Sequence, residues 1–143
     1  MKKFICMLLV FLIAAFFITP VYAADKGNSL GPPEIVPQFT HIWVLTPGLE
    51  INSSGKATCI GDVTIYDDTF TIVLTVELQK LGNNNWDTIK TWTKSGIGKS
   101  GALIVESYYV AKGTYRVSAN AKVYNTSGTL LENRSLYSRT VTY

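Results

Sequence analysis

Cysteine is nearly absent from this chain of 143 residues. Only Cys6 and Cys59 occur, and Cys6 lies in a leading segment read below as removed on export, leaving no pair for an intramolecular disulfide. The fold must then stand on packing, with Cys59 expected as a buried small hydrophobe because it alternates with Ala57, Gly61 and Val63. Histidine is scarcer still, with His41 alone. A zinc site takes three or four His, Cys or acidic ligands, and a Ser or Cys nucleophile takes a base held by a third group. Neither set can be assembled, so His41 reads as packed or polar, on one face with Phe39 and Trp43. Runs of like charge are missing too, which leaves nothing to name nucleic acid or an anionic membrane as a partner. No segment of useful length carries the 3.6-residue apolar spacing of an amphipathic helix.

What is present begins with Lys2 and Lys3, an apolar run from Phe4 to Ile18, then Thr19, Pro20 and Val21-Tyr22-Ala23-Ala24. A basic start, a short apolar core and a small-residue site form a secretory signal, with cleavage expected after Ala23. The run is shorter than the roughly 20 residues that span a bilayer. Cys6 stands too early in it to be an acylated lipoprotein cysteine. Without Lys2 and Lys3, eleven basic residues face ten acidic ones, a nearly neutral remainder. The sequence therefore divides into a signal peptide over 1–23, a Pro- and Gly-containing tether over 24–37 and a domain over 38–143.

That domain alternates with period two. Strands are expected over 38–45, 49–53, 56–66, 70–80, 86–93, 102–110, 115–123 and 136–143, separated by Gly, Asn, Asp and Ser. In 70–80 the residues Phe70, Ile72, Leu74, Val76 and Leu78 share one face, and 115–123 repeats this with Tyr115, Val117, Ala119, Ala121 and Val123. Asp67-Asp68 is read as the turn of a hairpin joining 56–66 to 70–80. The fold class is all-β, an antiparallel sandwich of seven to eight strands.

Lys112-Gly113-Thr114-Tyr115-Arg116-Val117 delivers a tyrosine to the head of a central strand. This resembles the tyrosine corner of immunoglobulin-like sandwiches, whose phenol bonds back to nearby backbone. Residues 54–59, Leu78-Gln79-Lys80, Trp86, Ile89, Trp92, 108–117 and Tyr137-Ser138 together resemble a family of small exported proteins of Gram-positive bacteria catalogued as a domain of unknown function. The resemblance covers about residues 48 to 143. It implies a source and a compartment but no activity, cofactor or site residue.

Three further patterns have chemistry to weigh. Gly96-Ile97-Gly98-Lys99-Ser100-Gly101 contains Gly-Lys-Ser, yet a phosphate loop would need glycine where Thr93 stands and a helix afterwards, so a loop between strands is expected. Asp62, Asp67 and Asp68, and the run Asn83-Asn84-Asn85 with Asp87, lack the ligand spacing of a calcium loop and read as turns. Asn52-Ser53-Ser54, Asn125-Thr126-Ser127 and Asn133-Arg134-Ser135 fit the glycosylation triplet and sit at strand ends.

Trp86 and Trp92 are the one hint of recognition. In a straight strand they share a face and Ile89 takes the other, so both apolar sets turn inward only with a bulge. Trp86 and Trp92, with Tyr124 or Tyr108 near, are the candidate ligand-binding residues, offering aromatic faces for sugar stacking or protein docking. The other reading, which the ordinary exposure of isolated apolar residues favours, has one Trp capping the core and the other along an edge strand, where sidedness is weakly enforced. The expectation is an exported, non-enzymatic binding or structural module at or beyond the cell surface, secreted or wall-associated. It takes no cofactor and no metal, and its partner is an extracellular protein or a polysaccharide, with no nucleic acid and no membrane contact after signal cleavage. The alternative is a small secreted hydrolase with an unidentified carboxylate pair.

Overall fold

A computed structural model describes residues 39–143. The signal peptide, the tether and Gln38 lie outside the described residues, as does the charge of the leading segment. Eight strands form: β1 (Ile42–Ile51), β2 (Lys56–Ile65), β3 (Thr71–Leu81), β4 (Trp86–Ile97), β5 (Ala102–Tyr109), β6 (Thr114–Tyr124), β7 (Leu130–Tyr137) and β8 (Val141–Thr142). They make two antiparallel sheets, one ordered β1-β2-β5 and the other β4-β3-β6-β7, with β8 pairing β6. The expected all-β immunoglobulin-like sandwich is what the chain forms.

Period two explains the core. Ala57, Cys59, Val63 and Ile65 of β2 face Ile72, Leu74, Val76 and Leu78 of β3 and Val117, Ala119, Ala121 and Val123 of β6, all fully buried. Gly61 occupies the β2 position opposite Val76, where a methyl group would overlap Val76 Cγ2 while meeting Leu74 at ordinary contact distance. The sheets approach closely there because that residue has no side chain. At the head of β6 the Tyr115 hydroxyl donates to the Ala111 carbonyl at 2.7 Å, so the tyrosine corner is formed as expected.

Four expectations need correction. β2 and β3 are not a hairpin: they lie in different sheets, because both edges of β3 are taken by β4 and β6. Asp67-Asp68 instead carries the chain across the sandwich. The two pieces 38–45 and 49–53 are one strand, β1, which tolerates Pro47 because it is an edge. Its register with β2 shifts between Ile42 and Val44, which throws Trp43 out of phase and leaves it 61% exposed instead of on a shared face with Phe39 and His41. Finally, 136–143 is the end of β7, a break, and β8.

The β1-β2 and β6-β7 hairpins use the same loop. In Asn52-Ser53-Ser54-Gly55-Lys56 the Asn52 side-chain oxygen accepts from the amides of Ser54 and Lys56, and in Asn125-Thr126-Ser127-Gly128-Thr129 the Asn125 oxygen accepts from those of Ser127 and Thr129. Gly55 and Gly128 supply the left-handed residue at φ of 78° and 81°. Two of the glycosylation-like triplets are thus turn chemistry.

Candidate functional site

The aromatic candidates do not form one surface. Trp92 pairs with Val76, whose side chain faces the core, and it packs half-buried against that core. Register then shifts: Leu78 pairs with Lys90 but Gln79 with Thr88, so Ile89 is the extra residue of a bulge. Past the bulge Trp86 pairs with Leu81 on the outward face of the sheet. Trp86 and Trp92 therefore take opposite faces of β4 and not the shared face of a straight strand: Trp92 caps the core and Trp86 lies along the edge strand. Tyr124 lies eight positions along β6 from Arg116, about 26 Å at strand spacing, at the far end of the outward face. Tyr108 belongs to the other sheet.

Trp86 has a different neighbour. The Arg116 guanidinium lies over it, with Cζ 4.3 Å from the ring centroid, and over Tyr137 at 4.0 Å. Arg116 Nε donates to Gln79 Oε1 at 2.9 Å, and Gln79 Nε2 donates to Glu77 Oε2 at 3.1 Å. Four strands contribute to this row because Trp86 of β4 is the partner of Leu81 on β3, Gln79 and Arg116 are register partners, and Tyr137 of β7 sits beside them opposite Ser118.

The acids are engaged elsewhere. Hydrogen bonds from the Thr69 hydroxyl and amide hold Asp67 below the usual carboxylate range, and those from Lys99 do the same for Asp68. Gly98 meets that Asp68 corner and Gly101 the Val63 carbonyl, with φ of 59° and 64°, and the Gly-Lys-Ser stretch forms a 3-10 turn between sheets. It cradles no phosphate geometry.

Glu132 is the acid that sequence reasoning missed. It points inward from β7 with its side chain 4% exposed, and its carboxylate accepts from the amides of Thr40, His41 and Ile42 at 3.2, 2.7 and 3.1 Å, and from Arg134 Nε at 3.2 Å. Burial pushes its pKa up, but the three amides and the guanidinium outweigh that and hold it below the ordinary value. No sequence signal marks it, since its main partners are backbone groups. His41 meets Phe70 edge to face with centroids 5.7 Å apart. Among the described residues no three His, Cys, Asp or Glu side chains gather to hold a metal ion, and no helix is long and apolar enough to cross a membrane.

Cys59 is fully buried and its thiol is pushed up to about 12 by burial. We expect the native protein to leave Cys59 unlabelled by iodoacetamide at pH 8 for hours, with labelling only in denaturant, as read by mass of the Cys59 peptide. Fast native labelling would place that thiol at the surface.

The most apolar exposed surface lies on the other sheet. Ala102 and Ile104 of β5 are buried, so Leu103, Val105 and Tyr109 face outward, 50%, 55% and 70% exposed. Val105 pairs with Ile60, which pairs with Gly48, continuing the surface across β2 to β1. Beside it, between the free edges of β4 and β5, runs an open groove of about 350 Å³ lined by Trp92, Lys94, Leu103, Val105 and Glu106. Lys94 Nζ donates to the Leu103 carbonyl across this groove at 3.2 Å. No family model and no curated protein matches this chain.

Proposed function

We propose that this chain is an exported, non-enzymatic binding or structural module that acts at or beyond the cell surface by docking a protein on the outer face of its β1-β2-β5 sheet. One observation carries the reading: Leu103, Val105 and Tyr109 stand exposed in a row along an edge strand. Apolar side chains on the outward face of an edge strand, here interrupted by Ser107, offer a partner both area and unpaired backbone. The leading segment supports export, and membership of the small exported Gram-positive family belongs to the same proposal. Sugar stacking on paired tryptophans loses its support because Trp86 and Trp92 face opposite ways. Glu132, the buried acid, lends the hydrolase alternative nothing, because its carboxylate is occupied by three backbone amides and Arg134.

The test is retention of proteins from the secretome, and separately of cell-wall polysaccharide, on immobilised residues 24–143 and on a Leu103→Thr, Val105→Thr variant. Threonine keeps the strand and removes the apolar row. We expect one protein retained at fixed stoichiometry and lost with the variant. Polysaccharide retention alone, or protein retention that ignores the variant, contradicts the reading.

A further inference from the structure

β4 and β5 are end strands of different sheets, and their free edges lie on the same side of the sandwich. They run in opposite directions at the same height, since Gly96 lies against the Gly101 carbonyl and Lys94 Nζ against that of Leu103. Their unpaired backbone groups are also in phase. The Gly98 amide donates to the Phe70 carbonyl, so every second residue back from it, Gly96, Lys94 and Trp92, turns its backbone toward β3. The free groups of β4 then belong to Thr91, Thr93 and Ser95, whose side chains point outward. On β5 the Val110 amide donates to Gly55 and the Leu103 carbonyl faces Lys94, so the free groups belong to Leu103, Val105 and Ser107, again with outward side chains. An antiparallel pairing of these two edges therefore keeps inner face with inner face.

The inner rows carry charge. Lys90 and Lys94 are the partners of buried Leu78 and Leu74, and Glu106 is the partner of buried Cys59. The ion pairs among the described residues are Lys99 with Asp68 and Arg134 with Glu132, so Lys90 and Glu106 are not answered there. A charge on the inner row of an edge strand turns away any strand that does not bring the opposite charge. The β4 edge selects an acid and the β5 edge a base, and each is what the other edge of the same molecule brings.

A two-fold axis along the strands carries β5 of one copy against β4 of the other, antiparallel and at the same height, and does so twice. In the register that sets Thr93 against Leu103 of the second copy, Thr91 meets its Val105, Trp92 its Ile104 and Lys90 its Glu106. A lone foreign strand would cover one edge and leave the other open. A second copy covers both, and the symmetry closes so that no third copy adds on this side.

We infer that the β4 and β5 edges form a two-fold interface between two copies of this chain, each adding its β5 to the other's β4. This interface rests on the reading of β5 as a docking edge and names its occupant.

The experiment is sedimentation equilibrium of residues 24–143 at about 100 µM, with amide hydrogen exchange on the same sample. The expected mass is twice that of one chain, with the Thr93 and Val105 amides protected. Lys90→Glu and Glu106→Lys each set like charges across both strand pairs and should revert to the single-chain mass. An equimolar mixture of those two variants restores opposite charges at both pairs and should recover the dimer. Protection at Thr93 and Val105 locates the interface even if a variant folds poorly. A wild-type monomer, a dimer whose Thr93 and Val105 amides exchange freely, or a dimer indifferent to both substitutions would each overturn the assignment. A monomer that still retains a secretome protein through Leu103 and Val105 would remove the second copy and leave the docking reading standing.

Discussion

Replacing Glu132 with alanine is expected to destabilise the domain by about 3 kcal/mol, since three backbone amides lose a charged acceptor. The carboxylate reaches from β7 of one sheet to the start of β1 at the edge of the other. It therefore closes the side of the sandwich on which the sheets share no strand. Protonation should mimic the loss in part. The folded-state pKa lies below the ordinary 4.5, so this contribution is complete above about pH 4.5 and fades as pH falls through the lower folded value. Asp67 and Asp68 are depressed too, so the wild type alone does not isolate Glu132. Urea unfolding of wild type and Glu132→Gln at pH 7 and pH 3 does: the gap between them should be larger at pH 7 than at pH 3. A gap independent of pH would mean the carboxylate charge is not what holds the β1 start.

Gly61→Ala should cost about 3 kcal/mol, at the upper end for one added methyl in a packed core, or roughly 12 to 20 °C in Tm for a domain of this size. The ordinary preference of a strand for alanine over glycine points the other way and is smaller. Overlap with Val76 decides the sign. Val76→Ala alone opens a cavity, but together with Gly61→Ala it makes room for the new methyl. Thermal melts of the two single variants and the double should show the double at least 1 kcal/mol more stable than the sum predicts. Additive losses would mean the sheets do not meet at this point.

Much of this arrangement was legible in the residues. β2, β3 and β6 could be placed because each buries one face and alternates cleanly, and the corner at Tyr115 followed from a glycine turn ahead of a central strand. Alternation tells which side a residue faces but not which strand lies beside it, so the partition that separates β2 from β3 was hidden. β4 announced a conflict, with Trp86 and Trp92 in phase and Ile89 between. Its resolution by a bulge at Ile89, sending the two tryptophans to opposite faces, depended on packing against Val76. β7 was concealed by Glu132-Asn133-Arg134, whose inward member is a carboxylate. β5 was placed as a strand over 102–110 but not its sidedness: Ala102-Leu103-Ile104-Val105 is apolar on both sides, and sequence alone could not say that Leu103 and Val105 are the exposed pair.

Docking on the β5 face is the central claim, and contact in place tests it most directly. A photo-crosslinking residue installed at position 105, and at position 133 on the outward face of β7 as the control, would be activated in cells expressing the protein. The account predicts one crosslinked protein from position 105 and none from position 133. Equal crosslinking at both positions, or capture only from position 133, would contradict it.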